Sequence, residues 1–560
     1  MISLKQKIHL SYFTTCKSKM IWQITGLIIA VVVIFGSSLN NDFVYDDHET
    51  IEDNSYVKSF KYIPEYFFNK DTTAFNSHLK YEIYRPLKTL TVAIDFYFYQ
   101  DNAYGYHLTN LLIHIFNVLL LFYILWILKY SESVRFITAL IFAVHPVLAQ
   151  NIAYVSARAD MLSAFFLLLA FCAYLKKQDI SFNQVLLFIF ACLSKETAIV
   201  YPLFLLFFLY SNNKSIKKSL PFWIAAFFYF LLRQSIVGEF SQQSYRGGSL
   251  WITYATMVKA FSIYIMGFFW PLRTMITPNI LIEHSWLNIR SLRASLLLIV
   301  FTGLFIKIYR KNKKVGYGMV WFVVFLLPVS NIVPIKAVMS WRFAYISMVG
   351  YHLFFAEFIE SFKHKKYLIL TIIPWLICLS FVSYRISSTF KDDVTLWRPV
   401  MKNYLNLYKP YRVFANHYLR QDQYDSAIKY CELGLEKFPG NSYLLWDLGV
   451  IYNIKGDYQD ALHVFRQVSL DVQKEIGIDF LYSQTFALYN LQKFAEISRL
   501  VELHKLKELP IKLLNLQAHA LVLTKNEQKA KQVYLELLSR NVTDNAHEDY
   551  MNILDLMNSG

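Results

Sequence analysis

The stretch "NDFVYDDHETIEDN", residues 41–54, sets Asp46 and Asp47 side by side, with Tyr45 before them and His48 and Glu49 behind. A positioned carboxylate is what a reaction needs when a hydroxyl must lose its proton as a bond forms. Fixed positive charge is what an anionic leaving group needs. Cations occur at comparable places, near the ends of apolar runs: Arg85 in "YRPLKTL", Arg158 with Asp160 in "SARADMLS", Lys195 with Glu196 in "LSKETAIVYP", then Arg246 and Arg342. His145, in "AVHPVLAQ", joins them. Anions and cations on one face of a membrane are the arrangement expected where a phosphate is held beside a general base.

Each of these residues also has an ordinary explanation. Asp46 and Asp47 fit a helix cap or a solvated loop. Arg85 fits an interfacial side chain that snorkels ahead of an amphipathic helix. Lys195 and Glu196 fit a turn, but the apolar segments on either side are short, and paired charges at such depth are costly unless used. His145 reads as a hydrogen-bonded histidine at a helix end rather than a ligand. No zinc, phosphate-loop or Ser-His-Asp pattern is present, so a metal ligand set is not legible and a divalent cation stays open as a cofactor.

The elements that must position these residues are membrane helices. Of 560 residues 55% are hydrophobic and 17% charged, against roughly a quarter charged in soluble domains. Runs long enough to cross a bilayer recur between residues 21 and 386, each crossing taking roughly 20 residues. After Arg385 the texture becomes charged and amphipathic. The expected organisation is a polytopic membrane domain at 1–386 with a first outer loop at 40–105, a linker at 387–407, and a soluble domain at 408–560. The first apolar run lacks a clear small-residue cleavage site and reads as a retained anchor. The net charge of +16 sits in short loops, where it signals topology and meets anionic lipid rather than nucleic acid. None of the five cysteines pairs as a disulfide or metal site by its spacing.

Lys5, Lys7, Lys17 and Lys19 predict a cytoplasmic N-terminus, which puts 40–105 outside. The basic patches at 129–135, 176–177 and 214–218 then fall inside. So must "KIYRKNKK" (307–314) and "KHKK" (363–366), which requires that 253–270 lie along or dip into the outer face without crossing. About eleven crossings result, and the C-terminal domain falls outside. The Lys-, Ile-, Asn- and Phe-rich composition points to a bacterial inner membrane.

In the soluble part, residues 410–440 and 441–471 superimpose at an offset of 34: Ala415 on Gly449, Tyr418 on Tyr452, Ala427 on Ala461. That is the tetratricopeptide period. A further step of 34 reaches Ala495, with Phe486 in the Tyr position, and a slightly longer step gives Ala518, Leu521 and Ala530. The fold class is therefore all-α, a polytopic bundle followed by an α-solenoid whose concave face binds acceptor or partner proteins.

"FVYDDHETIEDN", "YRPLKTLTVAIDFYFY", "NAYGYHLTNLLIHIFNVLLLFYIL", "HPVLAQNIAYVSARADMLS", "SKETAIVYP" and "PVSNIVPIKAVMSWRFAY" follow one another in the chain. In this order they resemble membrane glycosyltransferases of the GT-C superfamily. They look most like the transmembrane-and-tetratricopeptide O-mannosyltransferases and their bacterial relatives. The resemblance implies a sugar donor linked to a polyprenyl phosphate, a protein (Ser/Thr), glycan or lipid acceptor, and a catalytic acid in the first outer loop. It places Asp46 and Asp47 in the acidic motif, with the base at the first position, and makes Arg85, Lys195 and Arg342 candidates for the donor phosphate. His145, Arg158, Asp160 and Glu196 would support that polar site. Two departures stand out: Gln150 and Trp341 occupy positions that are usually Glu in the family. Two other classes compete. A transporter would place its charges near the midplane, and a silent scaffold would recruit envelope proteins through the repeats.

Overall fold

The computed structural model describes residues 4–74, 83–238, 244–271, 282–311, 315–335, 337–404, 406–502 and 504–540. All regular structure among the described residues is helical. The chain divides into two compact units, Met1–Phe75 with Tyr81–Leu396, and Asn76–Lys80 with Trp397–Gly560.

Among the described residues of the first unit seven helices are long and apolar enough to cross a membrane: Lys19–Asn40, Ala103–Ile127, Val155–Lys177, Ile216–Val237, Leu250–Phe269, Ile289–Arg310 and Lys366–Thr389. The protein is a multi-pass membrane protein. A pair, Glu132–Val144 and Pro146–Ala153, makes an eighth if counted as one span bent by 55°. The bend falls where Pro146 cannot continue the helix before it and instead opens the next one at its first turn. Phe182–Ser194, Glu196–Ser211 and Val315–Val329 are apolar but shorter. Helices suit this environment because every backbone group must find its partner inside the segment. Where two of them touch, glycine sets the distance. A Cβ on Gly350 would lie 2.4 Å from the Gly318 carbonyl oxygen, so Val315–Leu326 and Tyr345–Glu360 meet backbone to backbone.

The segment expected to lie along or dip into the outer face is a full helix, Leu250–Phe269, with half its length buried in the bundle. Yet by Glu283 the chain is back beside the helix's first half: the Glu283 amide donates to Thr256 Oγ1 at 3.0 Å, and Lys259 Nζ lies 2.5 Å from the Glu283 carboxylate. The stretch expected as a linker is largely helical. The last apolar helix runs to Thr389, and a second helix occupies Asp393–Asn403. Residues 312–314 of the basic run and the Arg246 side chain lie outside the described residues, as do 541–560 of the repeat region.

The second unit is a stack of helix pairs. Lys409–Arg420 packs on Tyr424–Lys437, and Ser442–Lys455 on Tyr458–Phe465. Ala415, Ala427 and Ala461 are fully buried at the crossings, and Gly449 leaves room for the Phe465 ring, which a Cβ would meet at 2.4 Å. The third pair departs from the expected register. An extra helix, Leu470–Ile476, lengthens the step to 36 residues, so Thr485 and Ile497 take the buried positions and Ala495 is exposed. Ala518 and Ala530 fill the fourth pair as the sequence predicts.

Candidate active site

The loop after the first apolar helix is pinned by Phe43 and Val44, both buried. At Tyr45 the backbone takes a left-handed conformation, φ 54°, which a bulky residue adopts rarely. Asp46 and Asp47 then open a helical turn that continues as a wide-turned helix, His48–Glu52. Adjacent residues in such a turn point about 100° apart, and the two carboxylates diverge accordingly. Asp47 is fully buried; its oxygens accept from the Ser156 amide at 2.7 Å and the Val44 amide at 3.3 Å. Burial pushes its carboxyl up to about 6 in spite of those bonds. Asp46 stays 29% exposed, 3.8 Å from Arg342 Nη1.

The cations arrive from three further places. Arg342 precedes the helix Tyr345–Glu360, its carbonyl held by Asn151 Nδ2 at 3.1 Å and its guanidinium over the rings of Tyr154 (5.8 Å) and Phe343 (5.7 Å). Its guanidinium donates no hydrogen bond among the described residues and lies 3.8 Å from the Asp46 carboxylate. Lys195, at the break between two short apolar helices, contacts Asp160 and sits 5.0 Å from the same Phe343 ring. Arg85, just before the helix Pro86–Tyr99, grips Glu196 with two bonds, Nε to Oε2 at 2.9 Å and Nη2 to Oε1 at 2.6 Å. Asp46, Asp47, Arg85, Asp160, Lys195, Glu196 and Arg342 thus belong to one linked cluster at the ends of several helices.

Two expected members lie elsewhere. His145 is buried at the bent span: its Nδ1 accepts from the Val147 amide at 3.3 Å, capping the helix, and Nε2 lies 3.1 Å from the Phe268 carbonyl. Arg158 is spent on Asp95 (2.6 Å), Asn110 Oδ1 (2.7 Å) and the Tyr106 carbonyl (2.9 Å), a buried lock between the outer segment and the bundle. Trp341, where the resemblance expects a carboxylate, fills a slot over Gly267 and meets Tyr264 edge-on at 5.6 Å. Among the described residues no group of three or more His, Cys, Asp or Glu is arranged to hold a metal ion.

One member of the cluster was not singled out from the sequence. Lys88, one turn into the helix Pro86–Tyr99, is only 4% exposed and makes no ion pair or side-chain hydrogen bond among the described residues. Burial pulls its ammonium down to about 7, with Asp47 and Asp46 opposing that and Arg158 and Arg85 adding to it. The available signal was its spacing: three residues after Arg85, it shares that residue's side of the helix. The Tyr154 hydroxyl, also buried and without a hydrogen-bond partner among the described residues, lies in the field of Asp46, Asp47 and Arg342.

An accessible carboxylate beside a guanidinium, with further cations at the ends of nearby helices, can take up a proton and hold an anion close by. The chain resembles the TMTC protein O-mannosyl-transferases. It is 31% identical over 214 residues to human TMTC1, covering 34% of this chain and 24% of that protein. It is 31% identical over 160 residues to human TMTC4, covering 26% and 22%. A protein O-mannosyl-transferase of Caenorhabditis elegans is 29% identical over 181 residues, covering 31% and 26%. The chain spans about a quarter of the length of these curated relatives. No family model matches the chain, and no solved structure does.

Proposed function

We propose that the chain is a membrane glycosyltransferase that moves a hexose, mannose by its likeness to the O-mannosyl-transferases, from a polyprenyl-phosphate donor to a Ser or Thr hydroxyl of a protein. The observation that carries this reading is the pairing of the accessible Asp46 with Arg342. In the proposed reaction Asp46 takes the acceptor hydroxyl's proton as its oxygen bonds to the anomeric carbon. The bond from that carbon to the phosphate oxygen breaks, and the electron pair leaves with the lipid phosphate. Arg342 and Lys88, whose N–H groups donate no hydrogen bond among the described residues, meet the negative charge there; Arg85 and Lys195, each fixed to a carboxylate, shape the field around them. A single displacement inverts the anomeric configuration, and carboxylates beside the reacting carbon stabilise its oxocarbenium character.

The site would face the non-cytoplasmic side, with the N-terminus in the cytoplasm and the repeats outside. The basic loops support this, and so does the geometry. Asp46 and Arg342 can meet at one face only if an even number of crossings separates them. That count comes out even when the bent pair and the three shorter apolar helices each cross and Leu250–Phe269 enters and returns, as the position of Glu283 beside Thr256 suggests. The repeats would bind the acceptor protein or a partner enzyme.

The test is transfer by the purified protein from synthetic mannosyl-phosphoryl and glucosyl-phosphoryl polyprenols to a Ser/Thr peptide, read by mass spectrometry. Hexose on the peptide supports the reading. Its absence with both donors, in a protein that moves lipid across vesicles, would favour the transporter instead.

A further inference from the structure

The acidic loop is fastened to a segment some 350 residues away in the chain. Asn41 Nδ2 donates to the Ser387 carbonyl at 3.3 Å, and the Asp42 amide to the Lys391 carbonyl at 2.9 Å. The third tie is made by a side chain. Asp393, at the start of the helix Asp393–Asn403, is nearly fully buried. Its Oδ1 accepts from the Tyr45 amide at 2.9 Å, and its Oδ2 lies 2.8 Å from His48 Nε2. The other ring nitrogen of His48 contacts Glu52. One carboxylate therefore holds the residue before the Asp46–Asp47 pair with one oxygen and the residue after it with the other.

We propose that Asp393 is a positioning residue that fixes the direction of Asp46; this rests on the reading of Asp46 as the base. Tyr45 occupies a left-handed backbone conformation that its side chain disfavours, so the loop keeps this shape only while its surroundings over-determine it. Asp47 is clamped from the bundle side by Ser156, and Asp393 clamps from the other. Between two clamps, Asp46 retains little freedom beyond its own side-chain rotamers, which keeps its carboxylate beside Arg342. His48, with a carboxylate at each ring nitrogen, ties Asp393 to Glu52 and keeps the carboxylate from rotating off Tyr45. The stretch that reads as a mere linker in the sequence thereby becomes part of the catalytic loop's support.

The test compares Asp393→Ala and Asp393→Asn in the full chain. Asparagine can still accept from the Tyr45 amide through its oxygen; alanine cannot. Misplacing a reacting group by about 1 Å costs on the order of 100-fold in rate. The expectation is therefore a kcat loss of about 10- to 100-fold in the alanine variant. Affinity for a mannosyl-phosphoryl polyprenol should change by less than about twofold, and asparagine should recover most of the rate. Wild-type kcat in the alanine variant overturns the proposal. So do equal losses in both variants accompanied by equal drops in Tm, since that is an ordinary structural defect. Hydrogen exchange separates this from the functional reading. If wild type transfers no sugar, that reading fails, and the Tyr45 amide decides the clamp: protected in wild type and Asp393→Asn but fast in Asp393→Ala supports it, while equal protection in all three overturns it.

Discussion

With the backbone left-handed at Tyr45, the next two residues part company: Asp47 turns under Ser156 and Asp46 remains at the surface beside Arg342. The sequence presents them as an equal pair, because adjacency says nothing about which one is buried. The cations were legible for a different reason. Arg85, Lys195 and Arg342 interrupt apolar runs, where a charge needs a purpose. What the sequence could not display is that Glu196 and Asp160 already claim two of them. Lys88 was hidden because a lysine within an amphipathic helix reads as a solvated face. Its environment makes a pH prediction. Burial holds the Lys88 ammonium at about 7, so it is charged below that pH and neutral above it, while a phosphodiester donor keeps one negative charge throughout. Donor KM should rise as pH goes from about 6 to about 8, through the Lys88 midpoint. Lys88→Arg, which stays charged, should flatten that rise; an unchanged profile would separate Lys88 from donor binding.

At the scale of elements, length and hydropathy reveal the long spans, and the Lys/Arg pattern alone raises the anomaly at 253–270. The pattern left open whether this segment lies along the face or dips into it, and the helix is half buried in the bundle. Such a distinction depends on which neighbours accept its faces. His145 reads as a helix-end residue, but the 55° angle of the bend there and the extra helix Leu470–Ile476, an insertion between repeats, were not legible. The close approach of Val315–Leu326 and Tyr345–Glu360 at Gly318 and Gly350 bears on the site, because Arg342 precedes the second of these helices. A valine at Gly350 would place its Cβ against the Gly318 carbonyl and force the helices apart. Gly350→Val should cost ~1–3 kcal/mol by overpacking. It should also lower transfer more than it lowers the yield of folded protein, as measured by thermal unfolding in detergent beside the transfer assay.

On the scale of the whole molecule, the chain has two units with separate cores, and a 34-residue period makes the second legible in the sequence. Repeats pack chiefly on their neighbours, so a chain cut after Asn403 should retain a folded membrane unit. Transfer to a full protein acceptor should then fall about tenfold or more, equivalent to ~1.4 kcal/mol of lost acceptor binding, while a short peptide is glycosylated nearly as before. An equal loss for both would show that the repeats support the membrane unit instead. The central claim is that Asp46 is the base. Its most direct test is single-turnover transfer from a mannosyl-phosphoryl polyprenol by purified wild type, Asp46→Asn and Asp47→Asn, with donor binding measured on the same preparations. Removing a positioned base costs ~10²–10⁴-fold. Asp46→Asn should therefore bind donor normally and transfer at a trace rate, while Asp47→Asn should lose stability more than it loses chemistry. Transfer by Asp46→Asn at the wild-type rate would contradict the account.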